Sequence, residues 1–242
     1  MTGSPQLEPV VAECRSKLSP DDQLGDEYRY AHLSLCVLDA VYSIGVRYES
    51  TRAVVRRYAA WAQLTRNRPA DELPPRHIQQ PRSELVEHIA QGGVDSFAAA
   101  IVCNRQRTST RSGILKSEAT LHFAQALIQH GVEALQDVAP LAADASLDTD
   151  LRAVTGQGSG ISTAYFFMLA GDKNLVKPDR MLQRFVARAV GRPVSVAEIQ
   201  TLVTDACEQL RAEHRHLTPR VLDHAIWNYE RSSKDAGSTR SS

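Results

Sequence analysis

The chain has 242 residues, enough for one sizeable core or two small helical lobes, and its 28 basic and 28 acidic side chains cancel to a formal net charge of zero. That balance excludes bulk attraction to a polyanion, so any nucleic-acid binding must come from local patches. No apolar run approaches a membrane span, and MTGSPQLEPV lacks the basic and apolar regions of a signal peptide, so a soluble, cytoplasmic protein is expected. Lysine occurs only at Lys17, Lys116, Lys173, Lys177 and Lys234, which limits amine chemistry. Cys14, Cys36, Cys103 and Cys207 form no Cys-x-x-Cys pair and read as reduced core thiols.

Apolar residues recur at three and four along almost the whole chain, which predicts an all-α fold. A first helix is expected from Tyr28 to Ile44, with Leu35, Leu38 and Tyr42 sharing a face with Asp39. Asp39 reads either as a pocket acid with a raised pKa or as a buried acid bonded to a helix end. A second helix, Ser50 to Leu64, carries Val54, Val55, Tyr58 and Trp61 with Arg52, Arg56 and Arg57 between them. Shorter helices at Ser83–Ala90 and Asp95–Val102 precede a longer one at Lys116–Gln129. The loop Asn104–Gly113 has no acidic residue, so Arg105, Arg107 and Arg111 make it either a solvated connection or a phosphate-binding patch. Helical patterning resumes to Val190, Ser195 to Glu198 is a capping box, and Thr218-Pro219 opens a last helix ending near Arg231. His224 and Trp227 read as packing residues, and His214 and His216 form no metal set with a nearby acid or cysteine.

The richest stretch runs from Gly156 to Asp179, GQGSGISTAYFFMLAGDKNLVKPD. Gly156, Gly158 and Gly160 permit backbone conformations that a side chain forbids and let another molecule approach the main chain. The helix that follows can aim its unpaired N–H groups at an anion. One helix later an acid, Asp179, follows Pro178 at another helix start, where the dipole and Lys177 favour its ionised form.

Gly158-Ser-Gly160-Ile-Ser-Thr163-Ala164, the apolar helix after it, and Pro178-Asp179-Arg-Met-Leu-Gln-Arg184 resemble the helix-hairpin-helix and Gly/Pro-Asp region of the endonuclease III-like DNA glycosylase superfamily. Gly113-Ile-Leu-Lys-Ser-Glu-Ala119 is similar to the superfamily's Gly-x-x-x-x-Lys-Ala stretch, and the resemblance extends over Tyr28 to Gly191. It implies two interleaved helical lobes with a helix-hairpin-helix motif and a cleft between them, spanning 26–231, after an N-terminal extension at 1–25 and before a disordered tail at 232–242. It further implies a monomer that binds double-stranded DNA and is nucleoid-associated. The DNA backbone would be held by Gly156, Gln157, Gly158, Ser159, Gly160, Ser162 and Thr163, with a monovalent cation at the hairpin carbonyls. Asp179 would be the catalytic carboxylate. Arg47, Tyr48, Asp39, Arg105, Arg107, Arg111 and Lys116 are the candidates for the base pocket or for DNA contact.

The departures narrow the activity. Ser162 stands where lyase-active members carry a lysine nucleophile, which excludes Schiff-base strand cleavage there. Cys207 alone follows the hairpin, so the four-cysteine iron–sulfur loop is absent and no metal is expected. Gln157 replaces the hairpin proline, and Ser43 to Glu49 lacks the glutamine-containing base-reading signature. The expected function is a monofunctional DNA N-glycosylase of base excision repair that hydrolyses the bond to a flipped, modified or mismatched base. The alternatives are a non-catalytic helix-hairpin-helix DNA-binding protein and a helical partner-binding protein with no nucleic-acid role.

Overall fold

A computed structural model describes residues 5–19, 24–25, 28–69 and 72–238, with side chains as far as Ser233. The fold is all-α, and the extended pairings among these residues are isolated bridges, Tyr30 with Asn67 and Arg107 with Leu115. In chain order the helices are α1 (Leu7–Lys17), α2 (Leu33–Tyr42), α3 (Tyr48–Trp61), α4 (Arg82–Ser96), α5 (Lys116–Gln129), α6 (Ala145–Ala153), α7 (Ile161–Ala170), α8 (Arg180–Val190), α9 (Val196–Leu210) and α10 (Pro219–Ser238). The chain divides into two compact units, Gly25–Gly171 and a second made of Met1–Leu24 with Asp172–Ser242.

In the unit Gly25–Gly171, α2 is the central element. Every residue of α2 is buried, as expected of a helix that is apolar on all sides, and it packs against α3, α4, α5 and α7. Each fully buried leucine there contributes about 1.5–3 kcal/mol. Phe123 of α5 and Phe166 of α7 meet edge to face at 5.5 Å. The helix expected from Tyr28 begins instead at Leu33, because the preceding residues are extended against 66–68, with Ala31 N–H donating to Arg66 O and Arg68 N–H to Arg29 O. The two short helices expected at Ser83–Ala90 and Asp95–Val102 are replaced by α4, broken at Gly93 (φ 76°, ψ 157°), and a π-helical turn at Phe97–Ile101. Cys103, expected in the core, is exposed at a positive φ of 47° just beyond that turn.

The second unit packs α1, α8, α9 and α10 around Val10, Val11, Phe185, Val186, Ile199, Val203, Leu222 and Ile226. Residues 7–17, within the stretch expected as an extension, form a core helix; residues 1–4 and 20–23 of that stretch lie outside the described residues. Burial, with Glu13 and Cys207 nearby, pushes the Cys14 thiol up to about 12, which keeps it neutral. The box at α9 is complete: Glu198 N–H donates to Ser195 Oγ at 3.2 Å, and Ser195 N–H to Glu198 Oε2 at 2.9 Å. The last helix passes Arg231 and reaches Ser238, so the tail expected at 232–242 begins in helix, and residues 239–242 lie outside the described residues.

Candidate functional site

The glycine turn joins α6 to α7. Gly156 (φ 89°) and Gly160 (φ 73°) take left-handed conformations, and Gly160 is the N-cap of α7. The turn is closed by Gln157 N–H to Val154 O and Gly160 N–H to Gln157 O, each 2.9 Å, while Ile161 N–H reaches Ser159 Oγ at 3.4 Å. Gly156, Gly158 and Ser159 are exposed. Gln157, Ser162 and Thr163 are not: they retain 1%, 1% and 3% of their surface. Their side chains are turned into the protein, so only their main chain is left for a phosphate. Gln157 Oε1, Ser162 Oγ and Thr163 Oγ1 have no hydrogen-bond partner among the described residues.

Two groups press on this turn. A Cβ at Gly156 would lie 2.3 Å from Thr108 Cβ, which places the basic loop directly against the turn. A Cβ at Gly160 would lie 2.3 Å from Cζ and Nη1 of Arg152, so that guanidinium covers the start of α7. Arg152 comes from α6, where Asp148 accepts from its Nε at 2.7 Å. In the loop, Arg105, Arg107 and Arg111 are all exposed. Arg105 pairs with Asp95 at 2.5 Å, an acid outside the loop, and Arg107 Nη1 donates to Gly113 O at 2.7 Å. Lys116 is a correction: it is 2% exposed, and its Nζ donates to Tyr42 O at 2.8 Å and Ile44 O at 2.7 Å. Its charge satisfies the last carbonyl of α2 and that of Ile44 just beyond it, so it is turned away from a ligand.

Asp39 and Tyr48 do come together. The buried Asp39 carboxylate accepts from the Tyr30 hydroxyl at 2.7 Å and from Tyr165 of α7 at 3.5 Å. Tyr48 stacks on Tyr28 at 5.8 Å, with the Arg52 guanidinium 6.0 Å from its ring centroid. Burial first, and the Asp39 charge second, push the phenols of Tyr30, Tyr48 and Tyr165 above their ordinary range, so all three stay protonated as donors. A small opening beside this cluster is lined by Tyr30, Tyr48, Arg52, Val55 and Arg66. Arg47 is exposed at the N-cap of α3.

Asp179 belongs to the second unit, where it is the N-cap of α8. Its Oδ1 accepts from Met181 N–H at 2.7 Å and Leu182 N–H at 3.4 Å, so both cap bonds fall on one carboxylate oxygen and Oδ2 takes part in neither. The side chain is half-buried. Asp223 of α10 accepts from Lys177 N–H at 3.2 Å and so fixes the segment that leads into Asp179. Burial, then repulsion from Asp179, push the Asp223 carboxyl well above the usual range against the opposing Lys177 bond. Asp223, held neutral, therefore lies close to Asp179.

Among the described residues no group of three or more His, Cys, Asp or Glu could hold a metal ion, and no helix is long and apolar enough to cross a membrane. This all-α chain belongs to a family described as Domain of unknown function (DUF8548), which matches residues 8–231. No curated protein and no solved structure matches it. Arg152, Thr108, Asp223, Tyr30 and Tyr165 are absent from the residues that sequence reasoning singled out. Arg152 had a local signal, an Asp148–Arg152 pair at i,i+4 just ahead of the glycines, whereas the others are united only by tertiary packing.

Proposed function

We propose that this protein is a monofunctional DNA N-glycosylase-like enzyme that hydrolyses the bond to a flipped, modified or mismatched base. The observation that carries the DNA-binding part is the seating of the basic loop on the glycine turn through Thr108 and Gly156, beside Arg152 at the start of α7. Exposed guanidinium groups, glycine backbone and first-turn amides there supply what a phosphate chain requires. The catalytic part rests on the resemblance at Thr163-Ala164 and on Asp179 one helix later, capping α8 with one carboxylate oxygen uninvolved in the cap. Cleaving an N-glycosidic bond builds positive charge on the sugar, which an ionised Asp179 would stabilise while it activates water. Ser162 supplies no amine for a covalent intermediate, so water is the nucleophile. The opening between Tyr30, Tyr48 and Arg52 is an aromatic and cationic surface of the character that a base contact needs.

A panel of modified and mismatched duplexes, treated with alkali after incubation, should show abasic-site formation that is lost in Asp179→Asn. Activity surviving that change would remove Asp179 from its role. The N-cap duty of Asp179 favours a second reading, a DNA-binding module without catalysis, which predicts salt-sensitive binding and no base release. Absence of DNA binding at low salt would overturn both and leave a helical partner-binding protein.

A further inference from the structure

One cation of the unit Gly25–Gly171 takes no part in the groups described above. Arg82, the first residue of α4, is completely shielded from solvent, and its Nε, Nη1 and Nη2 have no hydrogen-bond partner among the described residues. Two positions earlier Gln80 is buried as well. Its Oε1 accepts from the Tyr58 hydroxyl at 3.1 Å, and its Nε2 has no partner among the described residues.

The surroundings supply charge attraction but no hydrogen bond to the guanidinium. Cys36, then Glu133 and Tyr58, draw on Arg82, while Glu133 Oε2 accepts from Ser83 N–H at 3.0 Å and its backbone carbonyl from Arg82 N–H at 3.1 Å. His32 Nδ1 accepts from Gln80 N–H at 2.9 Å, and burial lowers the pKa of that ring, so it is neutral. The Tyr58 hydroxyl lies 3.0 Å from His88 Nδ1 as well as bonding Gln80, and burial raises its pKa. Burial brings the Arg82 guanidinium down to about 10, which still leaves it charged at neutral pH. A shielded guanidinium therefore presents five donors, and the neighbouring amide two more, with no hydrogen-bond partner among the described residues. Water could fill those bonds; an anion fills them and adds, at the guanidinium itself, to the attraction that Cys36 and Glu133 exert.

We propose that Arg82 and Gln80 hold a small monovalent inorganic anion of the halide class as an internal counter-ion. The complete shielding of Arg82 selects a small ion over phosphate or an organic acid. Such an ion binds the folded chain alone and so stabilises it along a saturation curve.

The full-length protein is unfolded by urea in sodium bromide and in sodium methanesulfonate at equal ionic strength. The wild-type midpoint should rise with bromide and saturate, and Arg82→Met should lose that response. Gln80→Glu, which brings a carboxylate to the same place, should match or exceed the wild-type midpoint without bromide and lose the response too. A crystal grown with bromide should show an anomalous peak within hydrogen-bond reach of the Arg82 nitrogens, which decides the matter even if Arg82→Met does not fold. Equal wild-type midpoints in the two salts, or water density in place of the bromide peak, would overturn the proposal.

Discussion

Asp223→Asn isolates one buried carboxyl with little change of shape. Asn keeps an oxygen for the Lys177 N–H, now 3.2 Å from Asp223 Oδ1, and removes only the ability to ionise. In the folded protein burial and Asp179 hold the Asp223 pKa well above the usual carboxylate range, which still describes the unfolded chain. Below that unfolded value the group is protonated in both states and its stabilising effect is fully present. As pH rises the unfolded chain releases the proton and the folded chain does not, so stability falls by about 1.4 kcal/mol for each pH unit until the folded pKa is passed. Asp223→Asn lacks that loss, so its advantage over wild type should widen by the same slope from about pH 4 upward. Urea unfolding of both proteins from pH 4 to 7 reads this directly, because all other titrating groups cancel in the difference. Parallel stability–pH curves would refute the burial and repulsion inferred for Asp223.

Two further substitutions separate structure from binding. Lys116→Met leaves Tyr42 O and Ile44 O without their ammonium and should cost about 1–3 kcal/mol in urea unfolding while leaving the salt slope of DNA binding unchanged; a reduced slope at unchanged stability would put Lys116 back on the DNA. Gly160→Ala forces an alanine to φ 73° and displaces the Arg152 guanidinium, so it should cost about 1–2 kcal/mol and weaken DNA binding, and a wild-type urea midpoint would count against the left-handed cap.

What was legible in the sequence was local chemistry. α5 runs from Lys116 to Gln129 as its periodicity implied, Ser195 and Glu198 cap each other, and Pro219 opens α10, because each depends on residues within one helical turn. Asp179 at the start of α8 was legible for the same reason. What was not legible depends on distant partners. Lys116 looks like any exposed lysine until the end of α2 and the turn after it place two carbonyls before it, and Arg82 looks like an ordinary first-turn arginine until the surrounding helices close over it. The Tyr30–Asn67 bridge, which delays α2, joins residues far apart in the chain. The Asp39 cluster gathers Tyr30 and Tyr165 in the same way, and no spacing rule marks them beforehand.

The division of the chain has a consequence for its birth on the ribosome. Gly25–Gly171 is one uninterrupted segment, whereas α1 belongs with helices that begin only at Arg180. Of the described helices α1 is thus the one that waits longest for its neighbours, with Leu7, Val10 and Val11 uncovered while the whole continuous unit emerges and folds. At about 5–20 residues per second that wait lasts on the order of ten seconds or more, an interval in which those three side chains are open to a chaperone.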